Sequence, residues 1–85
     1  MRFGVFNVMQ QRDPTTVGAR QVIDEALDQA HVADELGFDS CWFPEHHASN
    51  YSLCPSPLMM VSQCAKTTRR IRLGTGVIVA PLYVP

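Results

Sequence analysis

The sequence predicts a parallel α/β fold, a β-α-β-α-β run, on three observations. Short apolar, β-branched or aromatic segments occur near residues 3–8, 40–43 and 71–79, the length and composition of strands. Between them lie two segments whose apolar residues recur at spacings of three and four, the period of a helix face. Glycine and proline punctuate the joins. Strands alternating with helices are the pattern of parallel sheets, whose crossovers are right-handed almost without exception.

The first strand is read at residues 3–8, where Phe3, Val5, Phe6 and Val8 interleave with Gly4 and Asn7, and a polar break with Pro14 follows over residues 10–16. From about Ala19 to Leu36 the positions Val22, Ile23, Ala26, Leu27, Ala30, Ala33 and Leu36 form one helical stripe. Asp24, Asp28, Gln29 and Asp34 fall mostly on the opposite side. Gly37 follows directly and can take the left-handed conformation of a helix C-cap, with Phe38 folding back on the last turn. Ser40-Cys41-Trp42-Phe43, halted by Pro44, is too short for a helix and reads as a buried strand. Ser56-Pro57 reads as an N-cap followed by proline at the first helical position. Leu58, Met59, Val61 and Ala65 supply apolar residues of the second helix. Lys66, Arg69, Arg70 and Arg72 gather around its end, where the helix dipole favours cations. Residues 71–79 make the third strand, interrupted by Gly74 and Gly76 and ended by Pro81.

Composition narrows the class of function. The chain has 85 residues, 46% of them hydrophobic and 18% charged, with a formal net charge of −1. That balance suits one globular domain, residues 1–85, and provides no electrostatic footprint for nucleic acid or an acidic membrane surface. The N-terminus lacks the apolar region of a secretory signal and no run has membrane-spanning length, so a cytoplasmic location is expected. Three cysteines, Cys41, Cys54 and Cys64, then read as free thiols. The sequon Asn50-Tyr51-Ser52 is taken as coincidence. A complete eight-fold barrel typically needs about 250 residues, so the chain is expected to be partial.

In parallel α/β folds functional groups gather at the carboxyl ends of the strands. Glu45-His46-His47 stands at such an end. Two imidazoles and a carboxylate can accept or donate a proton near neutral pH, the carboxylate fixing the tautomer of one ring. The bland alternative, a turn histidine and a surface-paired glutamate, is equally compatible with spacing alone. Zinc ligation by His46, His47, Cys54 and Cys64 is disfavoured, because adjacent imidazoles diverge and the cysteines straddle a loop-helix junction. No metal is expected. In the third strand, Leu73-Gly74-Thr75-Gly76-Val77-Ile78-Val79-Ala80-Pro81 places side-chain-free positions toward a strand end, where glycine permits either a bend or the close approach of a flat ligand. With no third glycine opening a helix, this is not a dinucleotide fingerprint.

Taken together, these residues resemble the N-terminal part of the bacterial luciferase-like, flavin-dependent monooxygenase family. The resemblance rests on Arg2-Phe3-Gly4, Glu35-Leu36-Gly37-Phe38-Asp39, Trp42-Phe43-Pro44-Glu45-His46-His47, Pro57, and Leu73-Gly74-Thr75-Gly76-Val77 with Pro81-Leu82 and Pro85. It implies the opening β-α-β-α-β portion of a (β/α)8 barrel. It also implies an enzyme that takes reduced FMN from a separate reductase and uses O2 to oxygenate a small organic substrate such as an aldehyde. By the same resemblance His46 assists oxygen chemistry at the flavin, Glu45 and His47 support it, and Thr75, Gly76 and Val77 contact the cofactor, the Gly76-Val77 peptide being cis. The family also has members that use the deazaflavin F420, which stands as the alternative cofactor. Homo-oligomers are expected, with Leu58, Met59 and Ala65 as a candidate interface. A non-catalytic interaction module is the alternative of another class. The cofactor phosphate in such barrels is commonly held by late loops, so the isolated chain is expected to be inactive.

Overall fold

The computed structural model describes residues 1–49 and 51–83. Asn50 of the sequon and Pro85 of the family motifs lie outside the described residues. The order is β1 (Gly4–Phe6), α1 (Ala19–Glu35), β2 (Ser40–Phe43), α2 (Pro57–Thr67), β3 (Arg72–Thr75) and a 3-10 turn at Ala80–Tyr83. The strands pair in the order β1-β2-β3, both pairs parallel, with Val5 opposite Cys41 and Cys41 opposite Leu73. The order never reverses. Right-handed crossovers in one direction place both helices on the same side of the sheet, which is the winding of a barrel rather than of a doubly wound sheet.

Burial along β2 marks the two sides. Cys41 and Phe43 are fully buried, whereas Trp42 between them is 43% exposed. The core lies on the helix side, where Val22, Ala26, Ala30 and Ala33 of α1 meet Cys41, Phe43, Met60, Cys64 and Ile71. Alanine at three of the four α1 positions permits close helix approach. All three cysteines are free and buried, and burial, followed by the neighbouring Cys41 thiol, pushes Cys64 up to about 11.

Several features follow the sequence reading closely. β2 occupies the expected residues, and α1 stops where Gly37 allows it. Gly37 has φ +87°; its N–H donates to Asp34 O (3.2 Å) while Phe38 N–H donates to Ala33 O (3.0 Å), the paired bonds of a Schellman cap. Pro57 opens α2 as expected, but Ser56 makes no side-chain capping bond.

Four expectations are corrected. β1 and β3 are shorter than residues 3–8 and 71–79. After Phe6 the chain keeps one sheet-like bond, Asn7 N–H to Trp42 O (2.9 Å), and the Asn7 side-chain amide donates to Gln29 Oε1 (2.9 Å) on α1. After Thr75 the chain keeps one sheet-like bond, Gly76 N–H to Phe43 O (2.8 Å), and then departs. Pro81 therefore lies inside the 3-10 turn rather than at a strand end. Ile23 and Leu36 belong to the expected stripe but are 37% and 70% exposed; Leu36 is the C-cap residue, already leaving the helix. On α2 the buried residues are Pro57, Met60 and Cys64, and Leu58, Met59 and Ala65 face outward.

The fourth correction is Asp34, which is buried rather than on the solvent side of α1. Its carboxylate accepts the backbone N–H groups of Arg69 (2.9 Å), Arg70 (2.9 Å) and Ile71 (2.8 Å), tying the end of α1 to the turn that enters β3. Those N–H bonds, Arg70's foremost, hold the Asp34 carboxyl below its ordinary value of 3.8. Nearby, Asp39 pairs with Arg72 (2.6 Å) and more loosely with Arg2 (4.0 Å), both arginines being largely exposed, so these pairs add little. No helix among the described residues is long and apolar enough to cross a membrane.

A depressed folded-state pKa means that Asp34 stabilises the fold fully above its unfolded value, and that this contribution disappears as pH falls through the folded value. Asp34→Asn should therefore flatten the dependence of the urea midpoint on pH below about 4 and lower that midpoint at neutral pH. An acid limb as steep as that of the unaltered chain would show that Asp34 does not carry it.

Candidate active site

The carboxyl ends of all three strands lie together, and the loops that leave them are bonded to one another. Met9 in the loop after β1 and Ala48 in the loop after β2 both have left-handed φ, 59° and 55°, a conformation that non-glycine residues adopt only where the surroundings hold them. Met9 is buried, and its carbonyl accepts Leu53 N–H (2.8 Å). The loop after β1 is thereby fastened to the loop after β2.

Glu45 is the centre of this end. It directly follows Phe43-Pro44, both buried, and its side chain is fully shielded. Oε2 accepts His47 Nε2–H (2.9 Å), while Oε1 accepts the Tyr83 hydroxyl (2.8 Å) and Val79 N–H (3.2 Å). Burial pushes the Glu45 carboxyl up, but bonds from His47, Tyr83 and Val79 outweigh it and hold the group below its ordinary value of 4.5. Glu45 is thus a carboxylate with donors on both oxygens. Because an ionised carboxylate only accepts, His47 carries its proton on Nε2 when neutral, leaving Nδ1 as the acceptor.

His46 has different surroundings. Its backbone N–H donates to Cys54 O (2.9 Å), and its half-buried ring meets Tyr51 edge-on at 5.3 Å between centroids. Among the described residues no hydrogen bond joins the His46 ring to Glu45 or His47. The triplet is therefore one carboxylate-imidazole pair, Glu45 with His47, plus a separate imidazole.

At the end of β3, Thr75 lies opposite Phe43, so strand alternation puts it on the helix side rather than on the face of Trp42. The Gly76-Val77 peptide is cis. A Cβ on Gly76 would meet only Phe6 Cε2 at 3.4 Å and Trp42 Cε3 at 4.0 Å, ordinary distances, so the backbone here borders an open face. That face carries Phe6 and Trp42, 55% and 43% exposed. Among the described residues no three His, Cys, Asp or Glu side chains group as a metal set.

Gly74 has a different function from the ligand approach that the strand-end glycines suggest. A Cβ there would stand 2.6 Å from Trp42 Cε3 and Cζ3. The indole lies across β3 in the space that Gly74 leaves, its Nε1–H bonded to Ser40 Oγ (2.9 Å). Sequence reasoning missed Trp42, Val79 and Tyr83. Strand alternation about Cys41 and Phe43 was the available signal for Trp42; Tyr83, so distant from Glu45 in sequence, had none.

A family model described as luciferase-like monooxygenase matches residues 1–85. An uncharacterised protein of Sinorhizobium fredii is 48% identical over 85 residues, all of this chain and 24% of that protein. The oxygenase component of flavin-dependent trigonelline monooxygenase from Acinetobacter baylyi is 36% identical over the same span, 23% of its length. Among solved structures, the oxygenating constituent of 3,6-diketocamphane monooxygenase from Pseudomonas putida, in complex with FMN, superposes with a TM-score of 0.86. It is 26% identical, over 95% of this chain and 22% of that one. The chain spans about a quarter of the length of the relatives it matches.

The packing of Trp42 on Gly74 makes a direct test. Gly74→Ala should expel the indole from its place on β3 at a cost of about 1–3 kcal/mol, read as a lower urea midpoint. Emission from the single tryptophan should shift at the same time. Unchanged emission and midpoint would mean that the indole does not depend on that space.

Proposed function

The chain belongs to the luciferase-like monooxygenase family, and from that premise we propose that it forms the first β-α-β-α-β part of the barrel domain of an FMN-dependent monooxygenase. The observation that carries this reading is the juxtaposition of Glu45, His46 and His47 at the end of β2 with the bare Gly76 backbone at the end of β3, the two joined by the Gly76 N–H bond to Phe43 O (2.8 Å). Flavin-dependent chemistry is named for the Acinetobacter relative, and the Pseudomonas structure holds FMN. Both favour FMN over F420.

The residues present fit a flavin ring. Glycine at 76 leaves the backbone bare, and the exposed rings of Phe6 and Trp42 extend the same face, an apolar surface of the kind that binds flat aromatic ligands. Gly76 and Val77 would hold the ring, with Thr75 supporting the turn from behind. Reduced flavin, when bound, supplies the electrons that activate O2 for oxygen transfer to a small organic substrate such as an aldehyde. A separate reductase would provide it in that form, as the term oxygenase component implies for the Acinetobacter relative.

This chain's own part is to manage protons. His46, not bonded to Glu45, is free to donate or accept a proton at the oxygen being transferred, the role of a general acid-base group near neutral pH. His47, oriented by Glu45, supplies the second imidazole. Leu58, Met59 and Ala65 on the exposed side of α2 are proposed to pack against a second copy. By itself the 85-residue chain is proposed to be inactive, because a sheet of three strands leaves the barrel unclosed and the phosphate-binding loops of such barrels come late.

Two measurements test the reading. The 85-residue chain should neither bind FMN at micromolar concentration nor turn over an aldehyde; doing both would overturn the claim that it is inactive alone. Within the complete barrel, His46→Ala should lower oxygenation roughly 10²- to 10⁴-fold, with FMN affinity changed little. Unchanged oxygenation would remove His46 from the mechanism.

A further inference from the structure

We propose that Tyr83 is a positioning residue: through Glu45 it latches the segment that leaves β3 to the imidazole of His47. The flavin-monooxygenase reading gives this latch its functional meaning, whereas the geometry stands without it. Glu45 Oε1 receives two donors from one stretch of chain, Val79 N–H (3.2 Å) and the Tyr83 hydroxyl (2.8 Å), while Oε2 receives His47 Nε2–H (2.9 Å). Residues 76–83 therefore cannot move away from the end of β2 without leaving a buried carboxylate short of donors, which is costly. The Gly76-Val77 surface and His47 are held at a set separation by one side chain.

The 3-10 turn at Ala80–Tyr83 brings the phenol round to the carboxylate. Tyr83 remains 46% exposed, and its hydroxyl is the group that reaches Glu45. The titratable groups facing Glu45 are His47, Tyr83 and the buried thiol of Cys54. Tyr83 itself is pushed above its ordinary value of 10, first by the bond it gives Glu45 and then by burial, as expected of a phenol whose proton is held by an anion.

The test is Tyr83→Phe, which removes the hydroxyl and keeps the ring, followed by NMR on the flavin-free chain. With one donor lost, the carboxylate relies more on the imidazolium. The His47 midpoint should rise by roughly half a unit or more, and the Val79 amide should exchange at least about tenfold faster. A purely structural contact would leave the imidazole midpoint where it was. An unchanged midpoint overturns the proposal, whether or not Val79 exchange changes. Should the variant fail to fold, the unaltered chain decides: the Tyr83 ring must titrate above about 10, and a midpoint at the ordinary value overturns the latch. The flavin reading fails separately. If the complete barrel does not bind FMN while His47 and Val79 still respond to Tyr83→Phe, the latch stands and the cofactor assignment falls.

Discussion

An ionised carboxylate removed from water must be given donors on both oxygens, and that requirement organises both ends of this sheet. At the end where the strands begin, Asp34 collects three backbone N–H groups from the turn before β3. At the end where they finish, Glu45 collects an imidazole, a phenol and a backbone N–H. In each case one side chain joins segments far apart in sequence. The donors differ in kind, and so do the consequences. Asp34 is satisfied largely by backbone, which fixes the path of the chain. Two of the three donors to Glu45, the imidazole and the phenol, can themselves gain or lose protons, which ties geometry to protonation.

Between these ends the sheet has two unlike faces. The helix face is closed by small side chains on α1 and by Cys41, Phe43, Met60 and Cys64. Among the described residues no helix covers the other face, which carries Phe6 and Trp42 beside glycine. In a closed barrel the face of a strand without helices is the interior, which is the place the proposed barrel would give the exposed rings of Phe6 and Trp42. The exposure of Trp42 would then have an architectural explanation.

Legibility in the sequence followed the range of the determining interaction. β2 and the end of α1 were readable because Pro44 and Gly37 act on their own neighbours. β3 was read too long because its end is set at a distance, by the chain turning toward Glu45 after Gly76, and β1 because its apolar pattern runs on past the last paired residues. Helical periodicity counts an aspartate as outward-facing, so it could not reveal that Asp34 is buried under donors that α1 does not contain. At the site, the position of Glu45-His46-His47 at a strand end was legible. The division of the triplet into a bonded pair and a separate imidazole was not, since it depends on which ring reaches Glu45.

The contact between Trp42 and Gly74 has an evolutionary side. The indole occupies the volume that a side chain at position 74 would need, so neither position can drift alone: a larger residue at 74 meets the indole, and a smaller one at 42 leaves bare backbone uncovered. Across related sequences the two should behave as a single inherited character, exchanged together or not at all. Selection on the open face of this sheet therefore acts on pairs of positions spanning adjacent strands.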